Sequence, residues 1–130
     1  MSIHTEVVDS RNLTVLTVIG QVTVDEMRRA IEGFWQSPEL TLNVLWDYRQ
    51  ADMSRLTRAA HEELVRVGLK YRHRLPERTG GRTAIIASRD LEYGMNRVSE
   101  TLAEIEDYPF QVKTFRTAEE AEAWLAEGSG

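Results

Sequence analysis

The chain has 130 residues, enough for one domain with its own hydrophobic core and no covalent staples. It contains no cysteine, which excludes disulfides, thiolate metal sites and a cysteine nucleophile; its net charge of −5 argues against general nucleic-acid binding. The 42% apolar and 28% charged residues are ordinary for a globular protein, no apolar run approaches the ~20 residues of a spanning helix, and no stretch has the form of a signal peptide, so a cytoplasmic setting without stable membrane insertion is expected.

Ile3 to Val8 alternates apolar and polar residues and predicts a half-exposed strand. The turn Ser10-Arg11-Asn12 joins it to Leu13–Val22, which is apolar on both parities, so the two strands form a hairpin. Thr23 with Glu26 makes a capping box for a helix carrying Val24, Met27, Ile31 and Phe34, which ends at Ser37-Pro38. Leu40 to Trp46 is a third strand and Tyr48 to Ser54 a polar loop. A second helix follows with Leu56, Ala60, Leu64, Val67, Tyr71 and Leu75 on one stripe and a basic last turn, Arg72-His73-Arg74, that suits its own dipole.

Pro76 and Gly80-Gly81 break the chain before a short buried strand, Thr83 to Ala87. Asp90 is expected to cap a third helix with Leu91, Met95, Val98, Leu102 and Ile105 inward. A last strand, Phe110 to Phe115, leads to a second capping box, Thr117 with Glu120, and a helix with Ala121, Trp124 and Leu125. Residues 1–127 thus form one α/β domain, and Gly128-Ser129-Gly130 is expected as a flexible end. The order β-β-α-β-α-β-α-β-α implies a single mixed, mostly parallel five-stranded sheet with an N-terminal antiparallel hairpin and about four helices.

The candidate chemistry is sparse. His61-Glu62-Glu63-Leu64-Val65 begins like a zinc-protease helix but lacks the second histidine four residues on; His61 and His73, twelve residues apart, fall about 120° apart around a straight helix. All three histidines read as surface or rim residues, and no catalytic, metal or cofactor-binding residue is assigned. Gly80-Gly81-Arg82-Thr83 precedes a strand and so reads as a turn, not a phosphate loop. Gly94 within the third helix suggests close packing against a neighbour, or else room left for a ligand. Charge is uneven: Arg55–Arg78 holds seven basic and three acidic residues, Ser99–Glu127 eight acidic and two basic, and both read as solvated helix faces.

Sites on parallel sheets gather at the carboxyl ends of the strands. That places a candidate partner or ligand rim at Asp47, Tyr48, Arg49, Asp52, Ser54 and Arg55, joined by Arg89 and Tyr93 from the next strand end. Ser54 reads first as a helix cap, with Thr57 a rival, and second as a phosphate acceptor. Asp47 reads as a loop-ordering carboxylate, since no histidine or second acid stands near it in sequence.

Three segments carry a resemblance: Val44-Leu45-Trp46-Asp47-Tyr48-Arg49, Gly81-Arg82-Thr83-Ala84-Ile85-Ile86, and Phe115 through Leu125 with its Ala-rich helix closing on Trp124-Leu125. With the element order, they resemble the small bacterial STAS-like proteins, relatives of the anti-sigma-factor antagonists of the SpoIIAA-like superfamily. The resemblance implies a non-enzymatic, regulatory module that binds another protein; a homodimer is compatible with it. Antagonists of that family carry an Asp-Ser-Ser/Thr-Gly motif whose serine is phosphorylated. Here the matching stretch is Ala51-Asp52-Met53-Ser54-Arg55, without the glycine, so phosphorylation does not carry over. The alternative reading is a carrier or sensor for a small apolar or lipid-like ligand held between sheet and helices. An enzyme built on Asp47 or Asp52 has least behind it.

Overall fold

A computed structural model describes residues 2–129. β1 (Ser2–Val8) pairs antiparallel with β2 (Leu13–Gln21), from Ser2 opposite Ile19 to Val8 opposite Leu13. Asn12 closes the turn at φ 49°, a left-handed conformation its short polar side chain tolerates. Its Oδ1 and carbonyl then accept the Leu42 and Asn43 N–H groups, which fixes where the next strand starts. β3 (Asn43–Asp52), β4 (Arg82–Ile86) and β5 (Gln111–Phe115) follow in parallel, and the spatial order of the five strands is their order in the chain.

That order decides where the helices go. Each crossover from β2 to β5 steps one strand in the same direction. Crossovers of one hand stepping one way place their helices on one face of the sheet. α1 (Val24–Trp35), α2 (Arg58–Val65) and α3 (Asp90–Ile105) accordingly form one layer, and α4 (Ala118–Ser129) alone covers the other face. The core divides to match. Val18, Met27, Tyr48, Met53, Leu64 and Ile85 pack under the three-helix layer, continued by Trp35, Leu75 and Phe110, while Leu13, Leu45, Ile86, Phe115, Trp124 and Leu125 pack under α4.

Several expectations are corrected. Residues 48–52 are strand, not loop: β3 runs to Asp52 through a bulge, since Thr17 faces Asp47 but Ile19 faces Gln50, leaving one extra residue on β3. The bulge shifts the alternation, so Trp46 and Tyr48 before it and Ala51 and Met53 after it all face the three-helix layer. α2 stops at Val65, whose carbonyl accepts the Tyr108 hydroxyl at 2.9 Å; 3₁₀ turns then cover Arg66–Tyr71 and Leu75–Arg78. Arg74 serves the end of α1, not its own helix, donating to the Trp35 carbonyl at 2.8 Å. Arg89, not Asp90, stands at the cap of α3, with no side-chain cap bond. α4 continues through Gly128 and Ser129, two of the three residues expected as a flexible end.

The inner face of α3 matches expectation at Met95 and Leu102 but not at its two ends. Leu91 and Ile105 are 51% and 67% exposed, whereas Glu92, Asn96, Ser99 and Ala103 are buried.

Gly94 has open space where a Cβ would stand, so close packing does not explain it, whereas a Cβ on Gly81 would lie 2.1 Å from the Leu42 carbonyl oxygen. Gly94→Ala is therefore expected to stabilise by about 0.5–1 kcal/mol through helix propensity. Gly81→Ala is expected to cost more than about 2 kcal/mol, because backbone must shift to admit the methyl group. Urea unfolding midpoints with unchanged slopes check both.

Candidate functional site

The eight rim residues do not converge. Asp47 is buried and holds Arg49 bidentately, Nη2 to Oδ2 at 2.7 Å and Nε to Oδ1 at 3.0 Å, and also accepts the Arg49 N–H. Burial works to raise the Asp47 pKa, but the hydrogen bonds and charge of Arg49 outweigh it and hold the carboxyl below its ordinary value. Tyr48 points the opposite way into the core, stacked on Trp46 at 6.0 Å, and burial pushes its phenol up.

Asp52, Ser54, Arg55 and Arg89 do come together. Asp52 Oδ1 accepts the Ser54 N–H at 2.9 Å, and Arg89 and Arg55 add positive charge; with the hydrogen bonds from Ser54 first, these keep the Asp52 carboxyl below its ordinary value. Ser54 is exposed and caps nothing; Thr57 is the cap of α2, accepting the Ala60 N–H at 3.0 Å. Arg89 donates to the Ala51 carbonyl and to the buried Glu92 carboxylate, which also accepts the Met53 N–H. Tyr93 lies under the Arg116 guanidinium at 4.3 Å, and Arg116 pairs with Asp90 at 2.6 Å.

The sequence reading names the space between sheet and helices, but not its polar residues. A cavity of about 120 Å³ lies between the sheet and the three-helix layer, walled by Phe34, Trp35, Trp46, Tyr48, Phe110 and other apolar side chains. Its polar lining is His61, Asn96, Ser99, Thr83 and Arg78. His61 is buried, contrary to the surface reading, with Nε2 3.0 Å from Ser99 Oγ and Nδ1 without a partner among the described residues. No carboxylate completes a triad with this pair among the described residues. Arg78, counted in sequence with the basic surface, is 2% exposed. Nε donates to the Leu42 carbonyl at 3.1 Å, Nη2 to Thr83 Oγ1 at 2.8 Å, and the guanidinium sits 4.1 Å from the Phe110 ring centre. Spacing held a signal for His61 and Ser99: they stand three residues before Leu64 and Leu102, on the inner helix faces. Nothing local marks Arg78, since its burial comes from Phe34, Trp35 and Phe110, distant in the chain.

Among the described residues no three His, Cys, Asp or Glu side chains could hold a metal ion, and no helix is long and apolar enough to cross a membrane. The architecture is that of an STAS-type α/β domain, with three helices over one sheet face and one over the other. The family model described as SpoIIAA-like matches residues 13–126, and the chain belongs to that family. Among solved structures it is similar to an uncharacterized protein from the DUF3478 family with a SpoIIAA-like fold from Shewanella loihica PV-4, at 22% identity and TM-score 0.55 over 95% of this chain and 92% of that one. It is also similar to the anti-sigma factor antagonist SpoIIAA in its unphosphorylated form, at 14% identity and TM-score 0.53 over 98% and 99%. These likenesses show the fold. A search of curated proteins finds no match.

The buried His61 has a consequence for stability. Burial pulls its pKa down to about 4, against 6.5 for the free side chain. Between these values the unfolded chain binds the extra proton and the folded chain does not. The contribution is therefore full above pH 6.5, shrinks as pH falls, and is gone below about 4. The unfolding free energy of the native chain relative to His61→Leu is expected to drop by about 2–3 kcal/mol from pH 7 to 4.5. Urea titrations at several pH values measure it, and a pH-independent difference would place His61 in water.

Proposed function

We propose that this chain is a non-enzymatic, regulatory protein-interaction module that docks its partner on the rim made by the Asp52–Ser54 turn and the first turn of α3. Membership of the SpoIIAA-like family and the likeness to an anti-sigma factor antagonist support the class. The observation that carries the site is Leu91, a large apolar side chain 51% exposed on a turn held by polar contacts. Arg89 ties that turn to β3 and Glu92, and Asp90 ties it to Arg116. An apolar centre with a charged rim is the anatomy of a docking patch. Asp52 already takes the Ser54 N–H that a phosphate would use and adds negative charge beside it, so docking is expected to need no phosphate on Ser54.

A photo-cross-linking residue at position 91, with one at the exposed Ile105 as control, tests the site in cells. A discrete adduct from 91 and none from 105 is expected. Leu91→Asp should abolish the adduct formed from position 93 while shifting the melting temperature little. Equal cross-linking from 91 and 105 would remove the rim as the docking site. Arg89→Ala is the wrong probe, because it leaves the buried Glu92 without its cation and is expected to cost about 1–3 kcal/mol of stability.

A further inference from the structure

We infer that the cavity beneath the three-helix layer is a binding site for a small monocarboxylate with an apolar body about one ring in size, its carboxylate paired with Arg78. This inference goes beyond the docking reading and rests on none of its residues. Arginine is seldom fully buried without a counter-ion, because taking its charge out of water is costly unless it is paired. Arg78 is 2% exposed, lines the cavity, and makes no ion pair among the described residues. Its contacts are aromatic rings, one carbonyl and one hydroxyl, which leave the positive charge uncancelled. Nε and Nη2 are engaged, while Nη1 donates to nothing among the described residues. Burial alone pulls the Arg78 pKa down to about 9, with no acid opposing it, and the group is still a cation at neutral pH.

Size sets the rest of the ligand. The cavity is about 120 Å³. An apolar cavity of about 150 Å³ accepts benzene, so this smaller space limits the apolar body to at most a single ring and excludes a lipid chain. Trp35, Phe110 and Phe34 stand around the guanidinium and offer that body flat walls. His61 Nδ1, buried and unpartnered in the lining, offers a place for a second polar group, such as a ring hydroxyl.

Benzoate is the probe, with benzamide as its neutral isostere and acetate as the anion without a body. Calorimetry at neutral pH should show saturable benzoate binding at least about tenfold tighter than benzamide, and acetate weaker still. Benzoate methylene-free rings make clean isotope-filtered NMR contacts, which should fall on Trp35 and Phe110. Arg78→Met, which keeps the stem and removes the charge, should erase the preference for benzoate over benzamide. Should that variant not fold, Ala103→Phe, which fills the cavity and leaves Arg78 in place, should abolish benzoate binding. Absence of benzoate binding up to millimolar concentration, equal affinity for benzamide, contacts confined to surface arginines, or unchanged binding in folded Ala103→Phe would each overturn the inference.

Discussion

The strand order is the constraint from which the rest follows. With β2 through β5 laid down in sequence, every crossover steps the same way, and the right-handed rule sends α1, α2 and α3 to one face. The opposite face is left to α4, the only helix that follows the last strand. A sheet wound in one direction has no point where neighbouring crossovers diverge to opposite faces. It is at such points that a crevice opens at the carboxyl ends of strands in doubly wound folds. Here the space lies between the sheet and the crowded helix layer, where three helices of unequal length and a pair of 3₁₀ turns cover the apolar strands imperfectly.

The same constraint explains why the rim residues are engaged with each other. Asp47 and Arg49 share one face of β3 and satisfy each other there. Tyr48, between them, belongs to the core of the other face. Past the bulge, Asp52 orders the Ser54 turn and Arg89 clamps the end of β3 to α3. Polar residues at a strand end first have backbone groups to satisfy. What they leave to the surface is an apolar side chain, Leu91, on a stiff turn.

Much of the fold was legible in the sequence, because strand alternation, capping boxes and turns are local. The hairpin, the order of the five strands and four helices, and the caps at Thr23 and Thr117 stand where pattern and capping put them. Three features were not legible, each for a nonlocal reason. The β3 bulge breaks alternation, so a strand with Arg49, Gln50 and Asp52 in it looks like a polar loop. The end of α2 is set by the Tyr108 hydroxyl, supplied from 43 residues away. The inner face of α3 is chosen by partners on other segments: Met53 for Glu92, His61 for Ser99, Met53 again for Asn96.

That third feature bears on the site. A helix evolved only to cover a sheet would turn Leu91 and Ile105 inward and keep Glu92, Asn96 and Ser99 in water. α3 keeps Met95 and Leu102 inward but exposes Leu91 and Ile105 and buries Glu92, Asn96 and Ser99, and Asn96 and Ser99 line the cavity. Local rules are expected to yield where a protein binds something, and agreement elsewhere sharpens the exception. Arg78 yields in the same way in the same lining: a charge among aromatic rings, held by the Leu42 carbonyl and a threonine, where a leucine would have packed without cost in desolvation. Helix and arginine come from separate stretches of chain and line the same cavity. Their departures from ordinary core chemistry therefore share a location and not a local cause, and the location is the space between them.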